Sequence, residues 1–142
     1  NPASFFISTL SDITARSGAN FTGDILARDV YFKPTTGNIK VNGDVNYIRN
    51  IDGESDPKVT ITGDVNNVPP ITFSSVDKQY YSDVASAGGR EIDGDFSYSG
   101  DIDRSDLNSP NGVVYVDGDV HISGNATESM HIVASGNIYI EG

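Results

Sequence analysis

An apolar residue, a spacer, Gly-Asp (once Gly-Asn) and a second apolar residue recur along this chain as a short motif. The motif glycines are Gly23, Gly43, Gly63, Gly94, Gly100, Gly118 and Gly136. The first three are 20 residues apart and the last three are 18 residues apart. Repetition at a fixed period of this kind is typical of solenoids, in which each repeat forms one turn of a coil that stacks on the next. The motif therefore predicts a stacked coil with long flat faces and two ends.

The residues around each Gly-Asp alternate between apolar and polar, which is the pattern of a short, half-buried β-strand. Glycine accepts positive φ and aspartate bonds to nearby backbone, so Gly-Asp suits a corner between two strands. We predict an all-β fold, a right-handed parallel β-helix (β-solenoid) of about five to six coils. An antiparallel β-sandwich stays open as the alternative, because Asn42-Gly43, Asp93-Gly94 and Asp117-Gly118 also suit hairpin turns.

The order of segments predicts a single domain with one interruption. Five apolar residues in the first segment indicate a cap, because an open coil has to shield its first apolar layer from water. A helix start at Ser74-Ser75 and a stop at Gly88-Gly89 predict one helix, with Tyr80 or Tyr81 buried against the coil. In chain order we expect a cap over 1–17, the first coils over 18–68, an insertion over 69–92 with the helix near 75–87, and the last coils over 93–142 of a domain that spans 1–142.

Two neighbouring segments near the end of the chain, 113–122 and 132–140, match each other at a step of 18 residues. This step predicts that Val116 lies over Ala134, Val120 over Ile138 and Ile122 over Ile140. Each pair is apolar on apolar. A slip of one residue would turn these side chains towards water, so the register is well specified. The pattern continues to Ile140, and we expect an uncovered coil end there that a further strand or a neighbouring molecule completes.

The runs 111–124 and 131–140 resemble the β-solenoid region of bacterial pilus-assembly, minor-pilin-like surface proteins. The coils around Asn42-Gly43-Asp44-Val45 and the predicted helix with Tyr80-Tyr81 also fit that family, so the resemblance covers most of residues 5–142. The short coils of bactofilin-type polymers are similar as well. The resemblance implies an extracellular structural protein of the bacterial cell surface, and it supplies no catalytic residues.

The aspartate that follows each corner glycine is the best candidate for a ligand site. If the coils stack in register, Asp24, Asp44 and Asp64 form one column with neighbours about 5 Å apart. Cations such as Ca²⁺, which prefer hard oxygen ligands, would then fit between the carboxylates. The alternative is that these residues are simply good corner residues on a wet edge. A second acidic cluster, which matches no calcium-binding spacing, comprises Asp93, Asp95, Asp101, Asp103 and Asp106.

Composition and charge argue against several functions. The formal net charge of -11 repels nucleic acid and anionic membrane surfaces. No cysteine is present, so disulfides and thiolate metal sites are excluded. No apolar run is long enough to span a bilayer. His121 and His131 each lie between apolar neighbours, so alternation predicts that both point outwards and are exposed. The chain begins without Met or a signal peptide, so we expect a mature form or a piece of a longer protein.

The leading hypothesis from these observations is a non-enzymatic structural or adhesive module of a bacterial cell-surface or pilus assembly. It would present a rigid acidic solenoid to another subunit, a surface or a glycan, and it would associate with itself through its ends. No cofactor is expected. Two alternatives stay open. One is a carbohydrate-active β-helix enzyme that uses acids near the insertion, and the other is a calcium-stabilised glycan-binding module.

Overall fold

The structure is a computed structural model that describes residues 5–69, 83, 89–125 and 129–142. Short strands make up most of this part of the chain, and they form a β-solenoid of about six turns. The predicted fold class is confirmed. In chain order the strands are β1 Phe5–Thr9, β2 Asp12–Arg16, β3 Asn20–Thr22, β4 Asp24–Lys33, β5 Ile39–Asn42, β6 Val45–Asp52, β7 Val59–Ile61, β8 Val65–Asn67, β9 Arg90–Asp93, β10 Phe96–Ser99, β11 Val113–Asp117, β12 Val120–Ser123, β13 Met130–Ala134 and β14 Ile138–Ile140.

The strands lie on three faces, and every pair of bonded neighbours runs parallel. Face 1 contains, from the lower to the upper end, β9, β11, β13, β1, the first half of β4, the first half of β6, and β8. Face 2 contains β10, β12, β14, β2 and the second halves of β4 and β6. Face 3 contains β3, β5 and β7. Because β4 and β6 run around a corner, faces 1 and 2 belong to one sheet of 11 strands.

The apolar residues stack on one another through the interior, as the repeat predicts. Ile25, Val45 and Val65 form one column on face 1. The pairs predicted for the end of the chain, Val116 with Ala134, Val120 with Ile138 and Ile122 with Ile140, are also confirmed. Parallel pairing of these strands rules out the antiparallel sandwich. The columns merge into one continuous core that runs along the solenoid axis.

The coils do not stack in chain order. The last described strands, β13 and β14, pair with the first ones, β1 and β2, in the middle of the solenoid. We call the interface between residues 130–142 and 5–16 the seam. Strands β8 and β9 are consecutive in the chain, but they lie at opposite ends of the stack. Ile140 is consequently covered by Ala15 of β2, and the predicted open coil end at that residue is not found.

Residues 5–16 form an interior coil, and this differs from the predicted cap over 1–17. Strand β1 pairs with β13 on one edge and with β4 on the other, and Ile7 and Ile13 are fully buried. In the lowest coil, a loop over 103–112 inserts Leu107 into the core, and the Leu107 carbonyl accepts a hydrogen bond from the Arg90 guanidinium at 3.3 Å.

The predicted insertion over 69–92 is shorter at its end than expected, because β9 already begins at Arg90. The predicted helix near 75–87, with Tyr80 and Tyr81, lies outside the described residues except for Asp83, which is helical.

Candidate functional site

The predicted aspartate column exists at the corner between faces 3 and 1. The backbone N–H of Asp44 donates to Oδ1 of Asp24 at 2.8 Å, and the N–H of Asp64 donates to Oδ1 of Asp44 at 2.8 Å. The carboxylates of Asp24 and Asp44 therefore each accept a hydrogen bond from the backbone of the coil above. A charged acceptor strengthens such a bond relative to a neutral one. The column ties neighbouring coils together.

A second column of the same kind runs along the corner between faces 1 and 2. The N–H of Asp119 donates to Oδ1 of Asp95 at 2.9 Å, and that of Asn137 donates to Oδ1 of Asp119 at 2.8 Å. The N–H of Asp12 continues the series across the seam, with Oδ1 of Asn137 as the acceptor at 3.2 Å. The amide oxygen of Asn137 replaces a carboxylate here, which explains how Gly-Asn serves in place of Gly-Asp. We call this hydrogen-bonded series of Asp and Asn side chains the Asx ladder.

Glycine is required beside both the aspartate column and the Asx ladder because the coils approach closely there. A Cβ on Gly43 would lie 2.0 Å from the carbonyl oxygen of Gly23, and one on Gly136 would lie 2.8 Å from that of Gly118. Gly43 and Gly136 are not in the left-handed φ region, so the need for glycine at these positions is steric. At the lower end the reason differs: Gly94 has a φ of 108° and open space around its Cβ position. Gly-Asp thus meets two separate physical needs.

The described residues contain no group of three or more His, Asp or Glu side chains placed to hold a metal ion. Asp24, Asp44 and Asp64 lie in one column. One carboxylate oxygen of Asp24 and one of Asp44 already accept a hydrogen bond from the backbone of the coil above. The Asp64 carboxylate is exposed at the upper end. The predicted cation site at these three residues stays a prediction.

Asp29 occupies the ladder position above Asp12 and is fully buried. Its carboxylate accepts hydrogen bonds from the Arg49 guanidinium at 3.2 and 2.5 Å and from the N–H of Asn50 at 3.1 Å. The hydrogen bond from Arg49 is the main reason why the pKa of Asp29 lies below its ordinary value of 3.8, while burial acts in the opposite direction. Arg49 reaches this position because β6 carries an extra residue where β4 passes from Ala27 to Asp29. The pair is a structural ion pair.

His131 points outwards, as predicted, but it is half-buried rather than exposed. Its Nε2 lies 3.1 Å from the Ser8 hydroxyl, and its ring meets that of Phe6 edge to face at 4.9 Å between centroids. Burial lowers the pKa of His131 below its ordinary value of 6.5. Ser8 and Phe6 belong to β1 and His131 to β13, so this contact crosses the seam.

On face 3, outside the seam residues, Asn125 bonds directly to β3. Its side-chain oxygen accepts a hydrogen bond from the N–H of Thr22 at 2.8 Å, and its side-chain NH₂ donates to the carbonyl of Asn20 at 3.0 Å. The amide group therefore takes the place of a neighbouring strand for β3. The sequence prediction missed this residue, although Ile122-Ser123-Gly124-Asn125-Ala126 is a further copy of the motif and would have identified it.

The second acidic cluster separates into parts with different tasks. Asp95 belongs to the Asx ladder, and Asp101 accepts a hydrogen bond from the N–H of Asn125 at 3.2 Å. Asp103 holds the loop after Ile102, because its Oδ1 accepts from the Ser105 hydroxyl at 2.6 Å and from the Asp106 N–H at 2.8 Å. These bonds lower the pKa of Asp103 below 3.8. The cluster organises backbone and does not converge on one point.

The outer surface of face 2 carries a row of stacked side chains. The His121 ring stacks on the Tyr139 ring with 4.5 Å between centroids and 13° between planes. On the other side of Tyr139, the Arg16 guanidinium lies 4.6 Å from the ring centroid. Arg16 also forms an ion pair with Glu141 at 3.4 Å. Below His121, the next residue of the row is Ser97, which is small, and a groove of 340 Å³ opens at this step.

The upper end exposes a strand edge. Strand β8 is bonded to β6 through Val45 N–H to Asp64 O and Val68 N–H to Tyr47 O, both at 2.9 Å. Because bonds alternate along a parallel strand, the N–H groups of Val65 and Asn67 point away from β6. All residues of β8 are exposed, and Val65, at 43%, is the most exposed large apolar side chain among the described residues.

This architecture places the chain in the class of parallel β-solenoid proteins. No protein-family model, no curated protein and no solved structure matches it. In the part of the chain that the structure describes, no helix is long and apolar enough to cross a membrane.

Proposed function

We propose that this chain is a non-enzymatic structural and adhesive module of a bacterial cell-surface or pilus assembly. It acts as a rigid acidic rod that contacts another subunit through its upper end. The location outside the cell follows from the resemblance to minor-pilin-like surface proteins and is part of the same proposal.

The exposed edge of β8 carries the proposal. Coils in the middle of the solenoid bury their apolar residues completely, as at Ile13 and Ile138. At the upper end, by contrast, Val59 and Ile61 are partly exposed and Val65 is exposed. An edge with unpaired N–H and C=O groups beside a partly exposed apolar residue favours the addition of a strand from a partner. Addition of one more coil would bury Val65 as the coils below bury Val45.

The use of the acids supports a structural role. Asp24, Asp44, Asp95 and Asp119 each accept a backbone N–H from the coil above. Hydrolysis of a glycosidic bond by two carboxyl groups requires a pair at a defined separation, one of them with a raised pKa. The carboxyl groups with a resolved shift, Asp29 and Asp103, are both shifted downwards.

Sedimentation velocity of the whole chain over a range of concentrations tests the proposal. We expect the wild-type chain to associate reversibly and Val65→Lys to remain monomeric, because the lysine places a charge at the apolar edge. Asn66→Lys is the matched control, since it adds the same charge on the outer side of the same strand, and it should associate like the wild type. A wild-type chain that stays monomeric at millimolar concentration, or equal behaviour of the two variants, would contradict the proposal.

A further inference from the structure

The groove below His121 has the composition of a sugar-binding site. Its lining includes the aromatic ring of His121, the hydroxyl groups of Ser97, Ser99 and Ser123 and the carboxylate of Glu141, and Tyr98, Ile122 and Gly142 complete it. Its volume of 340 Å³ falls near the lower limit of small-molecule pockets, which begin at about 300 Å³. We propose that this groove binds one ring of a neutral oligosaccharide.

The stacking order of face 2 leaves one ring face available there. Tyr139 is enclosed by His121 on one side and Arg16 on the other, so neither of its faces is open to a ligand. His121 uses one face on Tyr139, and its other face lies towards Ser97, its register partner on β10. A pyranose ring that stacks on this face occupies the position that an aromatic residue in place of Ser97 would fill. The row of stacked side chains then continues through the ligand.

The polar groups around this position suit sugar hydroxyls. Ser123 and Ser99 are bonded to each other through their hydroxyls at 3.0 Å, and a hydroxyl can both donate and accept, so each retains capacity for a further bond. The Glu141 carboxylate, which Arg16 neutralises at 3.4 Å, supplies acceptors for sugar O–H groups. This set matches a ring with one apolar side and several hydroxyls.

The charges favour a neutral ligand over an anionic one. None of the residues that line the groove is a lysine or arginine, and the chain carries a net charge of -11. An acidic sugar or a phosphate would meet repulsion without a partner. The groove lies on face 2 at the lower end, away from the β8 edge, so this binding is independent of the proposed subunit contact.

Titration of the ¹⁵N-labelled whole chain with cellotetraose and with N-acetylchitotriose, followed by NMR, tests the proposal. We expect shifts confined to residues around Ser97, His121 and Ser123, with a Kd in the millimolar range. His121→Ala should weaken binding about tenfold, and His121→Phe, which retains a ring face, should preserve it. Tyr31 lies two steps above Tyr139 in the same outer row, beyond Thr14, and away from the groove. Tyr31→Ala therefore removes an aromatic ring from the row and should leave binding unchanged.

Ser97→Phe provides a second variant, because its ring should stack on His121 and exclude the sugar. No shifts with either oligosaccharide up to about 20 mM would overturn the proposal. So would tighter binding of trigalacturonate, or of a tyrosine-containing peptide, at the same residues. Val65→Lys should bind sugar normally, so loss of association and loss of binding can be told apart.

Discussion

Gly43→Ala tests whether the corner glycines are required by the close approach of neighbouring coils. The added Cβ would lie 2.0 Å from the carbonyl oxygen of Gly23 and 2.6 Å from its carbonyl carbon. Both are backbone atoms, and the strands that flank Gly23 are paired in the sheets. A flexible side chain could turn aside, but this backbone cannot move without separating two coils.

The structure sets the size of the effect. Overpacking of a well-ordered interior costs about 1–3 kcal/mol, and a contact with fixed backbone belongs at the upper end, so we expect a loss of about 3 kcal/mol in the free energy of unfolding. For a chain of this length the melting temperature should fall by about 10 °C. Gly94→Ala is the matched control, since its Cβ would meet no atom within 4 Å. With a φ of 108° it should cost about 1–2 kcal/mol in backbone strain.

Urea unfolding of both variants, followed by circular dichroism, gives the comparison. Equal slopes for the wild type and the variants would show that the free energies refer to the same transition. The reasoning is refuted if Gly94→Ala loses as much stability as Gly43→Ala, or more. In that case backbone conformation, and not the distance between coils, selects glycine at these corners.

Four further predictions concern the seam, the ladder and the candidate cation site. Thr14→Cys combined with Tyr139→Cys should give an intramolecular disulfide, since the two residues are register partners across the seam and the chain has no other cysteine. Thiol titration and non-reducing mass spectrometry detect the disulfide. Free thiols under oxidising conditions would contradict the coil order. Asp29→Asn should destabilise the protein by about 2–3 kcal/mol in thermal unfolding near neutral pH, because it leaves Arg49 beside a neutral amide. Since the pKa of Asp29 is lowered in the folded protein, its contribution to stability should be lost as the pH falls below 3.8, and the variant should lose less stability than the wild type in that range. Parallel pH profiles of the two proteins would argue against this pair. Since burial lowers the pKa of His131, the contribution of the neutral ring to the free energy of unfolding should be fully present above pH 6.5 and should decrease as the pH falls below that value. His131→Leu should remove this part of the pH dependence. An unchanged pH dependence in the variant would show that the ring protonates freely in the folded state. If calcium binds at the aspartate column, EDTA should lower the melting temperature of the purified protein, and an unchanged value would exclude a structural cation.

The register of the coils could be predicted from the sequence because the repeat places like residues above like. Ile25, Val45 and Val65 are separated by the period itself, and a slip of one residue would expose all of them. The same reasoning worked for Val120 and Ile138. Where the coil length changes, it did not. Gly118 stacks above Gly94, whereas Gly100 lies at another corner, below Gly124, so the equal spacing of Gly100, Gly118 and Gly136 does not reflect one column.

The role of the aspartates was predicted only in part. The sequence indicated a corner residue that bonds to its own local backbone. In the structure Asp24 and Asp119 instead accept N–H groups of the following coil, at 2.8 Å in both cases. Sequence spacing identifies the corner, but whether the nearest unpaired donor lies in the same coil or in the next depends on how closely the coils approach. That distance follows from the glycine contacts, which a single sequence does not contain.

The order of the coils could not be predicted, because every junction between coils uses the same chemistry. Apolar residues lie on apolar residues, and an Asp or Asn oxygen faces an N–H, both within each half of the chain and across the seam between Asn137 and Asp12. The apolar first segment therefore fits a cap and an interior coil equally well. What separates the two is the second edge of β1, which a cap could leave unpaired and which β13 occupies here over Met130–Ala134. Residues that tolerate water mark the true ends better: β8 consists of Val-Asn-Asn and is exposed throughout, whereas β1 carries Ile7, Ser8 and Thr9, all of them buried.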